Sequence, residues 1–232
     1  MKTIGLIGGM SWESTVPYYR HINETVKQRL GGLHSAKVIL FSVDFHDIDL
    51  LQVAGQWDAA GVIMADAARV LERAGAQVLV LCTNTMHKVA PAIEAATAIP
   101  LLHIADPTAD AVKQAGWRTV GLLGTRFTME QAFYRERLER DHGITVLIPE
   151  AQDRDTVHRI IYDELVQGVI SERSRDAFRE VIARLVARGA QTVILGCTEI
   201  SLLIGDRDAA VPLFDTTAIH ARAAAQWAMD DL

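Results

Sequence analysis

The chain has 232 residues, half of them hydrophobic, and a formal net charge of −6 at pH 7. Acidic and basic residues are interleaved along it, which excludes the basic patch of a nucleic-acid-binding surface, so no nucleic-acid partner is expected. No stretch approaches the roughly 18 consecutive apolar residues of a membrane span, so no membrane partner is expected either.

The predicted elements alternate between short apolar strands and helices. The apolar runs predict strands, in chain order, at residues 3–7, 38–42, 78–81, 101–104, 119–123, 145–148, 192–195 and 211–214. Apolar residues at helical spacing predict helices over 57–74 and 173–188, each ending before a glycine, and a last helix over 216–229. Continuous β-branched runs connected by helices are typical of parallel sheets covered on both faces.

Two segments of the chain are repeated in the same order. Lys2–Gly8 matches Arg118–Gly124 with four identical residues, and Ala74–Thr85 resembles Arg188–Glu199. Matches in one order at nearly constant spacing indicate an internal duplication. We therefore predict an α/β fold made of two pseudo-symmetric lobes, each a doubly wound parallel sheet.

The predicted lobes cover residues 1–105 plus 216–232 and residues 106–215, and the active site is expected in a cleft between them. In open α/β sheets, ligands bind beyond the carboxyl ends of the strands. Three loops follow predicted strands in each lobe. They are Gly8–Ser11, Asp44–His46 and Cys82–Thr85 in the first lobe and Gly124–Arg126, Pro149–Glu150 and Gly196–Glu199 in the second.

The two copies of the repeated strand and loop place their cysteines at different positions. An alignment without a gap places Cys197 opposite Thr83 and Gly196 opposite Cys82. A second alignment treats Gly196 as an inserted residue and pairs the two cysteines. Because side chains alternate between faces along an extended segment, Cys82 and Thr83 do not both point into a cleft easily. Cys82 is expected to pack in the core, and both alignments stay open.

Cysteine usage predicts the environment of the protein. Two cysteines in a chain of this length form neither a disulfide framework nor paired zinc-ligand spacing, so we expect free thiols, a reducing cytoplasm and no metal. The Cys197 thiol, beside the backbone amides of a helix start, is expected to have a pKa below its usual value of about 8.5. None of the five lysines lies in a pocket motif, so no pyridoxal cofactor is expected.

The motifs of the chain resemble those of a known family. Ile4–Ser14, Thr83–His87, Gly124–Arg126 and Gly196–Glu199 are similar, in order and over essentially the whole chain, to the cofactor-independent aspartate/glutamate racemases. The resemblance implies two pseudo-symmetric lobes that hold an amino acid and a pair of cysteines that remove and return its α-proton. The usual first motif of the family is Cys-Asn-Thr, whereas this chain has Thr83 at the cysteine position, in agreement with the alignment without a gap.

The resemblance also implies roles for individual residues. Cys197 takes the thiol acid/base role, and Thr83 takes the opposing position. The remaining candidates hold substrate groups or line the glycine loops, and they are Met10, Gln52, Asn84, Thr85, Thr125 and Thr198. Glu199 and His87 are expected to lie behind these residues and to tune proton transfer. His87 lies one helical turn past Thr83, and whether it reaches the cleft or caps its own helix stays open.

The same resemblance bears on the substrate. Gln52 lies where related proteins place an arginine for the side-chain carboxylate of the substrate, and Val166 lies near the usual position of a lysine. The loss of both cations argues against a strictly acidic substrate. The resemblance implies aspartate and glutamate as substrates, and the missing cations leave a broader range open.

Thr83 changes the expected mechanism. Proton transfer works best when the pKa of the catalytic group lies near the operating pH, which a thiol satisfies and an alcohol does not. We therefore expect Cys197 to be the efficient base and Thr83 to donate or relay a proton. A single-thiol decarboxylase of the arylmalonate type and a non-catalytic amino-acid sensor are the alternatives. A homodimer is expected from the general frequency of symmetric oligomers.

Overall fold

The computed structural model describes residues 1–230 of the chain, and these residues form two compact units. Unit 1 comprises Met1–Ile104 and the C-terminal segment from His220, and unit 2 comprises Ala105–Ile219. Residues 231 and 232, which belong to the predicted segment 216–232, lie outside the described residues. Within residues 1–230, no helix combines the length and the apolar character needed to cross a membrane.

Unit 1 contains a four-stranded parallel sheet with strand order β2-β1-β3-β4. Its strands are β1 (Thr3–Gly8), β2 (Lys37–Ser42), β3 (Val78–Leu81) and β4 (Leu101–Leu102). Its helices are α1 (Trp12–Leu30), α2 (Phe45–Val53), α3 (Trp57–Arg73) and α4 (Ala90–Glu94), and a 3₁₀ helix covers Thr85–Val89. One hydrophobic cluster packs on each face of the sheet, as expected for strands that are apolar throughout.

Unit 2 repeats this arrangement, with strand order β6-β5-β7-β8. Its strands are β5 (Thr119–Gly124), β6 (Thr145–Leu147), β7 (Thr192–Gly196) and β8 (Leu213–Asp215). Its helices are α5 (Ala105–Gln114), α6 (Arg126–Glu130), α7 (Ala132–Glu136), α8 (Ala151–Asp163), α9 (Glu172–Ala187) and α10 (Ile200–Leu203). Single turns of 3₁₀ or π-helix cover Arg137–Asp141, Leu165–Gln167 and Asp206–Asp208. The predicted α/β class with two pseudo-symmetric parallel sheets is confirmed.

Glycines end the two helices that precede the repeated strands. Helix α3 ends at Arg73 and α9 ends at Ala187, each followed after one residue by a glycine in a left-handed conformation. The φ angles of Gly75 and Gly189 are 97° and 102°. Because a side chain strains the backbone at such angles, these glycines define where α3 and α9 end.

Strands β4 and β8 each have one end that differs by two residues from the prediction, for identifiable reasons. Strand β4 ends at Leu102 rather than at residue 104, because the Ile104 N–H donates to the His87 ring instead of to a neighbouring strand. Strand β8 begins at Leu213 rather than at residue 211. Pro212 has no N–H to donate to the sheet, although its carbonyl accepts from Val193.

The last helix, α11 (Thr216–Met229), takes part in both units. Its first residue belongs to unit 2, where the Thr216 hydroxyl donates to the Leu195 carbonyl at 2.8 Å. From His220 onward the helix belongs to unit 1, and its alanines pack with Ile4 and Leu6 of β1. The boundary between the two units therefore lies within α11, between Ile219 and His220, whereas the predicted boundary lies at the start of this helix.

Candidate active site

The strand registers establish which residues of the two units correspond. In unit 1, Ile7 of β1 pairs with Leu81 of β3. In unit 2, Leu123 of β5 pairs with Leu195 of β7. Ile7 and Leu123 each precede the glycine that ends the strand, so Leu81 and Leu195 are equivalent. The alignment without a gap therefore describes the structure, and Thr83 and Cys197 each lie two residues past an equivalent leucine.

Steric crowding explains why unit 2 has a glycine where unit 1 has Cys82. A Cβ atom on Gly196 would lie 2.8 Å from the Leu122 Cδ1 atom and 2.8 Å from the Leu123 carbonyl oxygen. Backbone atoms cannot yield as a flexible side chain can, so unit 2 has no space for a thiol at this position.

Replacing Gly196 with alanine is therefore expected to lower the free energy of unfolding by about 1–3 kcal/mol, the usual effect of an overpacked core. Gly205→Ala is the matched control, because its added methyl group meets no atom within 4 Å and its φ of −131° suits alanine. Urea denaturation of both variants measures the difference. Equal stabilities would contradict the steric account.

Cys82 lies in the core of unit 1. Its thiol is fully buried among Ile4, Leu6 and Tyr18, and its N–H donates to the Ile7 carbonyl at 2.9 Å. Burial raises the pKa of this thiol far above its ordinary value. Cys82 is thus a packed, unreactive side chain, as predicted, and both cysteines are free thiols.

The loop after β7 contains a thiol–carboxylate pair. The Cys197 thiol donates to Glu199 Oε2 at 3.0 Å, and the Thr198 hydroxyl donates to the same oxygen at 2.8 Å. The Glu199 side chain is buried, with an exposed fraction of 2%, and its carboxylate is held by two donors from its own loop. A buried carboxylate at this distance can accept the proton of the thiol.

The expected low pKa of Cys197 is wrong. Burial raises the pKa of the thiol well above its ordinary value, and the negative charge and hydrogen bond of Glu199 raise it further. Hydrogen bonds to backbone groups of this loop act in the opposite direction but have smaller effects. The thiol is therefore protonated at neutral pH, and its conversion to a base requires an acceptor for its proton.

The loop after β3 contains the candidate residues of unit 1. Thr83 and Cys197 each have an exposed fraction of 7%, whereas Cys82 is fully buried. The Thr83 N–H donates to the Leu81 carbonyl at 2.9 Å, which turns the chain away from the strand. Asn84 and Thr85 follow as buried polar residues at the start of the 3₁₀ helix.

His87 binds the backbone on both sides of its ring. Its Nδ1 atom lies 2.7 Å from the Thr83 carbonyl oxygen, and the Ile104 N–H donates to Nε2 at 3.1 Å. The imidazole is buried. His87 therefore connects the Thr83 carbonyl to the Ile104 N–H.

The other candidates are divided between the two units. In unit 1, Gln52 is buried on α2 and donates to the Met86 sulfur at 3.0 Å. Met10 is buried in the hydrophobic cluster around Ile7. In unit 2, the Thr125 hydroxyl caps α6 by accepting from the Thr128 N–H. Because Gly124 pairs with Gly196, Thr125 and Cys197 follow neighbouring strands at the same edge of the sheet.

Sequence reasoning missed several histidines near these loops. His158 is half-buried, and its Nδ1 accepts the N–H of Arg126. Burial lowers the pKa of His158, and the Arg126 charge lowers it further. His103 and His220 are buried near His87 and received no role from the sequence. Each is an isolated histidine without a local motif, so no signal in the sequence identified them.

Residues 1–230 contain no group of three or more histidine, cysteine or acidic side chains that could hold a metal ion.

Comparisons with known proteins extend over nearly the whole chain. Residues 7–224 match the family model described as Asp/Glu/hydantoin racemase. The chain is similar to the crystal structure of a proposed Asp/Glu racemase from Yersinia pestis, with 62% identity, coverage of 99% of this chain and 100% of that chain, and a TM-score of 0.91. It is also similar to an aspartate racemase homologue from Pyrococcus horikoshii OT3, with 33% identity, coverage of 98% and 99%, and a TM-score of 0.84. The broad specificity amino-acid racemase RacX of Bacillus subtilis is 20% identical over 94% of this chain and 95% of its own length.

Proposed function

Because the chain belongs to the Asp/Glu/hydantoin racemase family, we propose that it interconverts the enantiomers of aspartate, glutamate or a wider set of amino acids by proton transfer at Cα. It is an isomerase of the racemase type. The observation that supports the proposed mechanism is that Thr83 and Cys197 occupy equivalent positions in two sheets with the same strand order. Two such positions can serve the two faces of one substrate carbon.

The first step of the proposed reaction is the formation of a thiolate. The Cys197 proton passes to Glu199 Oε2, which already accepts it in a hydrogen bond of 3.0 Å. The thiolate then removes the Cα proton and leaves a carbanion. This order of events reconciles the raised pKa of the thiol with its use as a base, because the carboxylate takes up the proton inside the same loop.

The second step returns a proton to the opposite face of Cα. Thr83 donates its hydroxyl proton to the carbanion and takes one back from water. Glu199 releases to water the proton that it received from Cys197, so both loops return to their starting protonation. In the reverse direction, Cys197 is the donor and Thr83 the acceptor. An alcohol is a much weaker acid and base than a thiol near neutral pH, so proton transfer at Thr83 limits the turnover.

The loop residues next to these two groups are assigned to substrate binding in this proposal. Asn84, Thr85 and Thr198 provide hydroxyl and amide groups for the α-carboxylate and the ammonium group. Gln52 carries no charge and is held by the Met86 sulfur, so it favours no acidic side chain by Coulomb attraction. A substrate range beyond aspartate and glutamate follows from this neutral side chain.

Incubation with amino acids of both hands in D₂O tests the proposed function. We expect deuterium at Cα together with inversion, and the screen identifies the substrates directly. Deuterium exchange with no amino acid would overturn the proposal, and release of CO₂ from an arylmalonate would replace it with decarboxylation. Tight binding without exchange would instead indicate a sensor.

Replacing Thr83 with alanine is expected to separate exchange from racemisation. Racemisation should fall by about 10²-fold or more, the usual contribution of a positioned acid or base. The thiolate of Cys197 still removes and returns the Cα proton on its own face, so one enantiomer should exchange without inversion. Proton NMR with polarimetry in D₂O measures both processes.

Thr83→Ser retains the hydroxyl and Cys82→Ala removes the buried thiol, so each variant should keep most of the racemisation. Loss of activity in Cys82→Ala with retention in Thr83→Ala would restore a mechanism with two thiols. The homodimer stays a prediction, and the mass of the protein in solution tests it.

A further inference from the structure

Unit 1 contains a cluster of buried aromatic side chains that the proposed reaction does not use. Its members are Tyr18 on α1, His87 in the 3₁₀ helix, His103 after β4 and His220 on α11. The ring centroids of His87 lie 4.4 Å from His103 and 6.0 Å from His220. Three imidazoles buried this close together need defined partners, because a buried polar group without one costs free energy.

The contacts of His87 determine its proton arrangement. The Thr83 carbonyl oxygen can only accept, so Nδ1 carries the hydrogen of their 2.7 Å hydrogen bond. The Ile104 N–H can only donate, so Nε2 carries the lone pair that accepts at 3.1 Å. His87 is therefore a neutral imidazole with hydrogen on Nδ1. A second ring hydrogen, on Nε2, would point at the Ile104 N–H, so His87 is unsuited to the protonated, positively charged form.

His220 has the opposite arrangement. Its Nε2 atom lies 2.8 Å from the Leu102 carbonyl oxygen and must donate to it. Its Nδ1 atom then accepts from the Tyr18 hydroxyl at 2.9 Å. His220 is therefore also neutral, with hydrogen on Nε2. Tyr18 orients the ring of His220, much as an outer partner fixes the ring of a functional histidine.

Both rings hold the same short segment of backbone. His220 binds the carbonyl of Leu102, and His87 binds the N–H of Ile104 two residues later. His87 then connects this segment to the carbonyl of Thr83. The imidazole thus acts as a spacer between the end of the first sheet and the loop that contains Thr83.

We propose that His87 is a positioning residue that holds Thr83 in place through its carbonyl, and that His220 and Tyr18 support it by fixing the segment Leu102–Ile104. The inference rests on the proposed role of Thr83. A reacting group displaced by about 1 Å loses on the order of 10²-fold in rate, so a single backbone hydrogen bond at this loop has a measurable effect on turnover.

Two substitutions of His87 separate its two hydrogen bonds. In His87→Asn, the amide nitrogen takes the place of Nδ1, which retains the donor to Thr83 and loses the acceptor for Ile104. In His87→Gln, the amide oxygen takes the place of Nε2, which retains the acceptor and loses the donor. The pair therefore compares variants that each lack one bond of the same buried side chain.

The experiment measures, in D₂O, the ratio of Cα deuterium exchange to racemisation with a substrate of the wild-type enzyme. We expect His87→Gln to raise this ratio on the order of 10²-fold, because Thr83 loses its support while Cys197 continues to exchange its own face. His87→Asn, which keeps the donor to Thr83 and loses only the bond to Ile104, should raise the ratio less than His87→Gln does. Loss of stability alone lowers exchange and racemisation in proportion, so it leaves the ratio unchanged.

Equal ratios in the two variants, or a larger change in His87→Asn, would overturn the inference. His220→Gln and His220→Asn provide a second pair if a His87 variant does not fold, since glutamine retains the donor to Leu102 and asparagine does not. The asparagine variant should raise the ratio more than the glutamine variant, and equal ratios would again overturn the inference. Failure of the proposed function is distinguishable, because wild type would then lack racemisation or Thr83→Ala would leave the ratio unchanged.

Discussion

Replacing Cys197 with serine is expected to lower kcat for racemisation by about 10³-fold in both directions, because an alcohol is a much weaker acid and base than a thiol near neutral pH. The oxygen is isosteric with the sulfur to a first approximation, so the hydrogen bond to Glu199 and the fold should persist. Cα exchange should be lost from both enantiomers, in contrast to Thr83→Ala, which retains it in one. Deuterium incorporation followed by NMR measures both effects.

Cys82→Ser is the control for this substitution, since it makes the same change of sulfur to oxygen in the same protein. Its hydroxyl would be fully buried, so it should lose stability while the molecules that remain folded keep their turnover. Full activity of Cys197→Ser would show that the thiol after β7 is not the base. Inactivation of folded Cys82→Ser would instead implicate the buried thiol.

Replacing Glu199 with glutamine is expected to have opposite effects on activity and on thiol reactivity. Removal of the negative charge lowers the pKa of Cys197, because that charge is one of the causes that raise it. Alkylation of Cys197 by iodoacetamide should therefore be faster than in wild type. Racemisation at pH 7 should nevertheless fall by about 10²-fold, since the amide cannot accept the thiol proton.

The pH dependence of Glu199→Gln follows from the same argument. The remaining effect of burial keeps the pKa of the thiol above neutral, so the thiolate fraction rises about tenfold per pH unit below that pKa. The activity of Glu199→Gln should rise with pH at this slope. In wild type the proton passes between Cys197 and Glu199, so activity should change little with pH near neutrality. Glu130→Gln, which removes an equal charge from an ion pair with Arg154, should change neither property. Parallel loss of activity and alkylation would contradict the role of Glu199.

The sequence was sufficient to predict the strands, the helix ends and the correspondence of the two halves. Apolar runs and glycines act locally, so each strand was found within a few residues, and the repeat required only the order of its matches. The two strand ends that differed by two residues depend on a contact between distant residues or on a proline. Ile104 leaves the sheet because it meets His87, which lies 17 residues earlier in the chain.

The electrostatics of the candidate site could not be predicted in the same way. The motif Gly196–Glu199 drew attention to Cys197, but the sign of its pKa shift depends on burial and on the direction of the Glu199 side chain. Neither the burial of a thiol nor the direction of a side chain can be read from the sequence. The buried histidines were missed for a related reason, since Tyr18 and His220 lie 202 residues apart and meet only in the folded chain.

The passage of α11 between units constrains the order in which the protein can fold during synthesis. Most of unit 1 precedes unit 2 in the chain, but its core includes Ala221, Ala224 and Ala225, which are synthesised after unit 2. Unit 2 is continuous from Ala105 to Ile219 and is complete before them. Although domains usually fold from the N-terminus onward, we expect the half that contains Thr83 to complete its core only after unit 2 has been synthesised.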